Sequence, residues 1–103
     1  MRPRSIAALA LVGVVLTACS ASVPENAGGE EIYLQLCARC HGEDLGGRVG
    51  PPLGPDSPVS EQPDEYLVFT IEHGRGRMPS FSSTLDERQV EELATYIRTV
   101  QLG

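Results

Sequence analysis

The 103-residue chain contains no lysine and no tryptophan, and it holds only two phenylalanines and two histidines. Its eight basic residues are all arginine, set against 14 acidic ones for a formal charge of −6, and no basic run occurs. The electrostatic footprint that nucleic acid requires is therefore absent. Long hydrophobic runs are scarce as well: residues 6–15 form the one sustained apolar stretch, too short to span a bilayer comfortably. The first 18 residues supply 12 of about 42 apolar residues, and the remaining 85 contain only 19 Leu, Ile, Val and Phe. Glycine and proline account for 17 of those 85. One domain fits this length, and so thin a core calls for a staple, a metal or a cofactor. No internal repeat is present.

The amino-terminal segment is an address. Met1-Arg2-Pro3-Arg4 is a short positive region, the apolar stretch follows it, and Leu16-Thr17-Ala18-Cys19 closes it. That order is an export signal. Its end resembles the bacterial lipobox, in which a cysteine sulfur takes a diacylglycerol before the signal is cut off. Residues 1–18 then form a lipoprotein signal peptide, and lipidated Cys19 begins the mature chain. A plain signal cut near Ala18 and a retained anchor helix are the alternatives. Without Arg2 and Arg4, 6 basic residues face 14 acidic ones, and the exported chain carries −8. Residues 19–28 are small, polar and aperiodic and read as a lipidated tether, which from Ser20 onward reaches roughly 30 Å at full stretch. The domain proper spans 29–103, held at the extracytoplasmic face of a bacterial membrane, periplasmic or outer.

Cys37-Ala38-Arg39-Cys40-His41 is the one dense cluster of metal-competent side chains. Two cysteines three apart on a helical turn face the same way, so both sulfurs can form thioethers with the two vinyl groups of one porphyrin, and the adjacent histidine lies under the iron. This is the c-type haem attachment pattern. A thioredoxin-like pair would want a preceding strand in an α/β chain, and a zinc site would want a second ligand pair; neither is present. A structural disulfide is the third competing reading. The cysteine count closes, with Cys19 for lipid and Cys37 and Cys40 for haem. Iron ligated by His41 takes a Met, a His or nothing on its other side. After signal removal Met78 is the only methionine and His73 the only spare histidine. Met78 sits in a loop punctuated by Gly74, Gly76 and Pro79, suited to presenting one side chain inward, whereas His73 has a simpler explanation at the negative end of a helix.

With these residues placed, the mature chain resembles a small monohaem class I cytochrome c of bacterial type over roughly residues 28–101. That family carries Gly-Pro-x-Leu after the attachment motif, matched by Gly50-Pro51-Pro52-Leu53. The resemblance implies that the Pro51 carbonyl accepts a hydrogen bond from the His41 ring and that Leu53 packs on the haem face. It implies that Gly29 and Tyr33 on the first helix cross the last helix at Leu93 and Tyr96, and it matches Met78, Pro79 and Phe81 to the family's methionine loop. Two departures stand out. Many mitochondrial-type relatives dock through a ring of lysines, which this chain lacks, and larger relatives use a tryptophan near a haem propionate, for which Arg48 or Tyr66 are candidate substitutes.

The expected architecture is all-α: three main helices and long loops wrapped round one covalently bound haem. The first helix covers about 29–40, with Asn26 as a possible cap. The second covers about 64–73 and stops at Gly74. The third follows a capping-box pattern at Thr84-Leu85-Asp86-Glu87, with Val90, Leu93, Ala94, Ile97 and Val100 at helical spacing. Residues 42–63 form a loop too long for a compact domain unless haem organises it. An iron with both axial positions filled leaves one-electron exchange as its chemistry, so the chain reads as an electron carrier and not an enzyme. Its partners are then a membrane-embedded quinol-oxidising complex and a terminal oxidase or reductase, and its acidity implies a basic dock. The alternatives are a haem gas sensor or small peroxidase with a displaceable Met78, and a fixed subunit of a larger complex.

Overall fold

A computed structural model describes residues 3, 8, 10–14 and 23–103. Cys19 and the lipobox lie outside the described residues. Four α-helices follow one another: α1 (Gly29–Leu36), α2 (Ala38–His41), α3 (Asp64–His73) and α4 (Glu87–Leu102), with a 3₁₀ turn at Pro58–Glu61. No strand occurs among the described residues.

The strongest periodicity makes the longest helix. Val90, Leu93, Ala94 and Ile97 of α4 are buried at a spacing of three and four, the stripe a helix needs to pack on a core. Its cap lies two residues later than the sequence pattern placed it. Asp86 is the N-cap, its carboxylate accepting from the Gln89 amide at 2.8 Å while the Gln89 side chain accepts from the Asp86 amide at 2.9 Å. Residues 82–85 are used first in a turn, with the Thr84 and Leu85 amides both donating to the Phe81 carbonyl, and Leu85 is buried. The helix can start only after that turn.

The first helix is also shorter than the spacing implied. It breaks at Cys37 (φ −111°, ψ −36°) and resumes as α2, and Gly28, not Asn26, is its N-cap. The reason lies upstream: the Ala27 amide donates to the Pro24 carbonyl at 3.0 Å, and Ala27 is driven into the core at 1% exposure. Val23 packs against the same core, and Gln89 and Arg88 donate to the carbonyls of Pro24 and Glu25. Residues 23–28, expected as free tether, are therefore part of the packed domain. In contrast, α3 has the expected bounds, ended by Gly74 at φ +73° with its amide on the Thr70 carbonyl.

α1 crosses α4 where the resemblance placed the crossing. Leu93 is fully buried and the Tyr33 and Tyr96 rings lie 5.6 Å apart, tilted by 50°. Gly29 makes this possible. A Cβ there would meet the Glu92 carbonyl and stand 2.7 Å from Tyr96 Cβ.

The stretch 42–63 is held by α4. Arg98 donates to the carbonyls of Val59, Ser60 and Gln62 and to Asp64 Oδ1 at 2.7 Å, and Gln101 Nε2 donates to the Leu53 carbonyl at 2.8 Å. Leu45, buried at 1% exposure, is the one non-glycine described residue at positive φ (62°), and its carbonyl accepts from Leu53. These bonds tie the loop to α4 and to itself.

Replacing Gly29 by alanine is expected to cost about 3 kcal/mol of unfolding free energy through overpacking of backbone on backbone. Gly28→Ala, where a Cβ meets nothing within 4 Å, is expected to cost less than about 1 kcal/mol. Urea unfolding of the two holoproteins checks the contrast, and equal losses would refute it.

Candidate functional site

The break at Cys37 sets the disposition of the attachment motif. Cys37 closes α1 facing the core at 7% exposure, while Cys40, one turn on, is exposed. The two are free thiols, not a disulfide. Burial, with nearby Cys40 adding, pushes the Cys37 thiol up to about 12. Among the described residues no group of three or more His, Cys, Asp or Glu side chains converges to hold a metal ion.

His41 ends α2 half-buried, and its Nδ1 lies 2.8 Å from the Pro51 carbonyl. A carbonyl can only accept, so Nδ1 carries a proton, and in the neutral ring Nε2 is then the nitrogen with the lone pair. A tight turn brings Pro51 there. The Gly50 amide donates to the Cys40 carbonyl at 2.7 Å, and the Gly47 amide donates to the His41 carbonyl at 2.8 Å. A Cβ on Gly50 would stand 3.1 Å from His41 Nδ1 and from the Cys40 carbonyl, so a side chain there would press on the ring and glycine lets the turn lie this close without displacement. From the other side, the fully buried Tyr33 hydroxyl donates to the Gly42 carbonyl at 2.6 Å and fixes the residue after His41. Sequence reasoning missed this tie, although Tyr33 lies one helical turn before Cys37 on the same face.

Met78 lies half-buried against the core on a narrow turn closed by two backbone bonds with Arg75, of 3.1 and 2.9 Å. Gly74 at φ +73° starts the turn, and a Cβ there would stand 2.8 Å from the carbonyl carbon of Pro79. The Phe81 amide donates to the Ile71 carbonyl at 3.0 Å and returns the loop to α3. Leu53 packs half-buried against the same core. His73 is elsewhere: exposed, stacked on Phe69 at 4.1 Å, with Nδ1 bonded to the Phe69 carbonyl of its own helix. Tyr66 accepts from Arg75, and Arg48 is exposed on the turn beside His41.

A family profile described as cytochrome C oxidase, cbb3-type, subunit III matches residues 24–97. The chain belongs to the cytochrome c family. A chloroplastic cytochrome c6 of Chlamydomonas reinhardtii is 30% identical over 105 residues, which take in 92% of this chain and 69% of that protein. The cytochrome c subunit of menaquinol:cytochrome c reductase from Bacillus subtilis (strain 168) is 39% identical over 79 residues, 75% of this chain but only 29% of the larger protein. The solved structure of the c-type cytochrome NirC is similar at a TM-score of 0.60 and 32% identity, over 68% of this chain and 84% of that one. This cytochrome c is thus a small, helical class I type, an electron carrier with one covalently attached haem c. The donor set fits that group: two free thiols three residues apart, followed by an imidazole with Nε2 available.

Tyr33→Phe removes a buried donor and leaves the Gly42 carbonyl with only the longer bond from the Leu45 amide, at 3.2 Å, a loss of about 1 kcal/mol in urea unfolding. Burial, with Tyr96 and Asp44 adding, holds the Tyr33 phenol well above its ordinary value of 10, and burial raises Tyr96 as well. A raised phenol contributes stability that is fully present below about pH 10 and is lost as pH climbs towards the folded value. Stability is therefore expected to fall as pH rises above about 10, and less steeply in Tyr33→Phe; parallel pH profiles would contradict this.

Proposed function

We propose that the chain is a membrane-tethered monohaem carrier with His/Met axial ligation. Cys37 and Cys40 form the two thioethers, His41 Nε2 binds the iron on one side, and Met78 binds it on the other. The observation that carries this reading is the 2.8 Å bond between His41 Nδ1 and the Pro51 carbonyl. It fixes the tautomer and the ring plane and makes Nε2 the more basic ligand, as the partners of ligating histidines do. The turn that holds Met78 at both ends supports a pre-set second ligand. When bound, the haem supplies reversible one-electron uptake and release at iron. The chain orients the imidazole, presents a thioether that favours the reduced iron, and covers one face with Leu53. Nothing among the described residues or the relatives favours the sensor or peroxidase reading.

The chemistry of partners follows from location. Cys19 takes the lipid, which places the domain at the extracytoplasmic face of a bacterial membrane. Because Val23 is already packed on the domain, only residues 19–22 intervene, at most about 14 Å of chain. Donor and acceptor must therefore reach a domain lying on the membrane, which supports a quinol-oxidising complex and a terminal oxidase or reductase. The relative named as a cytochrome c subunit of a menaquinol-oxidising complex is consistent with that chemistry.

Met78→Ala is expected to abolish the weak near-infrared band of thioether-ligated ferric iron. It should also open the reduced iron to carbon monoxide and lower the potential by on the order of 0.1 V, with covalent haem retained in a pyridine haemochrome assay. An unchanged band would sink the ligand assignment. Intact mass of the membrane-extracted protein is expected to show acyl chains on Cys19; an unmodified amino terminus there would end the tether reading.

A further inference from the structure

The charge of the exported chain, −8 in total, is divided very unevenly. Arg39 stands between the two cysteines, and Arg48 sits on the turn bonded to the Cys40 and His41 carbonyls. Arg75 and Arg77 flank the Met78 turn. All four side chains are exposed, and none forms an ion pair among the described residues. The arginines that are paired there, Arg88 with Glu92 at 3.7 Å and Arg98 with Asp64 at 2.7 Å, both belong to α4. Residues 37–50 and 74–81 together hold four arginines against Glu43 and Asp44, a formal +2, and the Asp44 carboxylate is turned onto the Gly46 amide of its own loop at 2.9 Å. Every other charge of the exported chain sums to −10. Much of that lies on the helices: Glu30 and Glu31 open α1, and Asp64, Glu65, Glu72 and Glu91 line the groove between α3 and α4.

We infer that the haem edge is a cationic docking surface, built from Arg39, Arg48, Arg75 and Arg77, that fits an acidic patch on the redox partner. The sign is opposite to the one net charge implies. The inference rests on His41 and Met78 ligating one iron, because that brings both arginine-bearing segments beside a single haem. Two haem propionates offset the +2 only in sum, and on these segments four exposed guanidinium groups without ion pairs outnumber the one exposed carboxylate without a partner, Glu43. Docking is decided at short range. Above about 0.05 M salt the Debye length drops below roughly 15 Å, so distant helix carboxylates are screened while charges at the contact still act. The unpaired arginines then steer approach, and the acidic helices turn away from an acidic partner, giving one productive orientation.

The test is the oxidation of the reduced holoprotein by two reagents of opposite charge, ferricyanide and tris(phenanthroline)cobalt(III), each taking one electron, between about 0.05 and 0.5 M salt. With ferricyanide the second-order rate is expected to fall about threefold or more across that range, and with the cobalt complex it should stay level or rise. The double variant Arg75→Gln/Arg77→Gln, shown folded by its unchanged absorption spectrum, should lose at least about half of the ferricyanide salt slope, while Arg88→Gln should keep it. A ferricyanide rate that rises with salt in the wild type would overturn the inference without any variant, as would a double variant with the full slope. Failure of the carrier reading looks different, since neither reagent would then exchange electrons or the near-infrared band would be missing.

Discussion

The geometry of this domain depends on one backbone contact, the seating of Gly29 against the Glu92 carbonyl where α1 crosses α4. Close approach there lets the Tyr33 ring lie against Tyr96 and sends its hydroxyl to the Gly42 carbonyl. That bond sets where the chain leaves α2, one residue after His41. On the other side of the crossing, α4 continues to Arg98 and Gln101, whose side chains collect the carbonyls of Val59, Ser60, Gln62 and Leu53. Both arms converge on His41: one through Gly42, the other through the stretch that carries Pro51. A side chain at residue 29 would separate the helices and loosen both arms together.

Orientation of a ligating imidazole is costly to leave to chance, because the ring can rotate and has two tautomers. Here the backbone decides both. The Pro51 carbonyl selects the Nδ1-protonated tautomer, and Gly50 gives the turn room to reach the ring. Met78 is handled in the same manner, by a turn bonded to itself and then to α3 rather than by a regular helix. One short loop therefore orients the imidazole that α2 carries and another presents Met78, and the helices supply the rigid frame from which both loops hang.

Much of this was legible because it is local. The Cys-x-x-Cys-His spacing, the glycine that stops α3 and the glycine- and proline-marked turn around Met78 each state their geometry within a few residues. The crossing at Gly29 and Tyr33 was legible through family resemblance, and the Pro51 bond likewise. The cap at Asp86, the break at Cys37 and the packing of residues 23–28 were not, for one physical reason. Each is decided by a contact that has no hydrophobic period: Ala27 and Val23 are drawn in by the core and by α4, and the turn at 82–85 is fixed on the Phe81 carbonyl and delays the start of α4. Arg98 and Gln101 reach carbonyls 36 to 48 residues away, a kind of bond with no sequence period. A hydrophilic side chain near a helix end looks solvent-facing until its acceptors are known.

The scarcity of aliphatic side chains also acquires a structural meaning. Leu53, Val68, Met78 and Phe81 reach only half-burial against the core. In a chain of this size such partial burial contributes little, since surface removed from water scales the hydrophobic term at roughly 25 cal/mol per Å² and the conformational entropy to be offset is of similar size. A cytochrome c adds a rigid apolar disc that loses no conformational freedom of its own and is joined to the chain at Cys37 and Cys40 in the proposed arrangement. Stability and electron transfer then draw on a single apolar surface, which is why so few large side chains suffice.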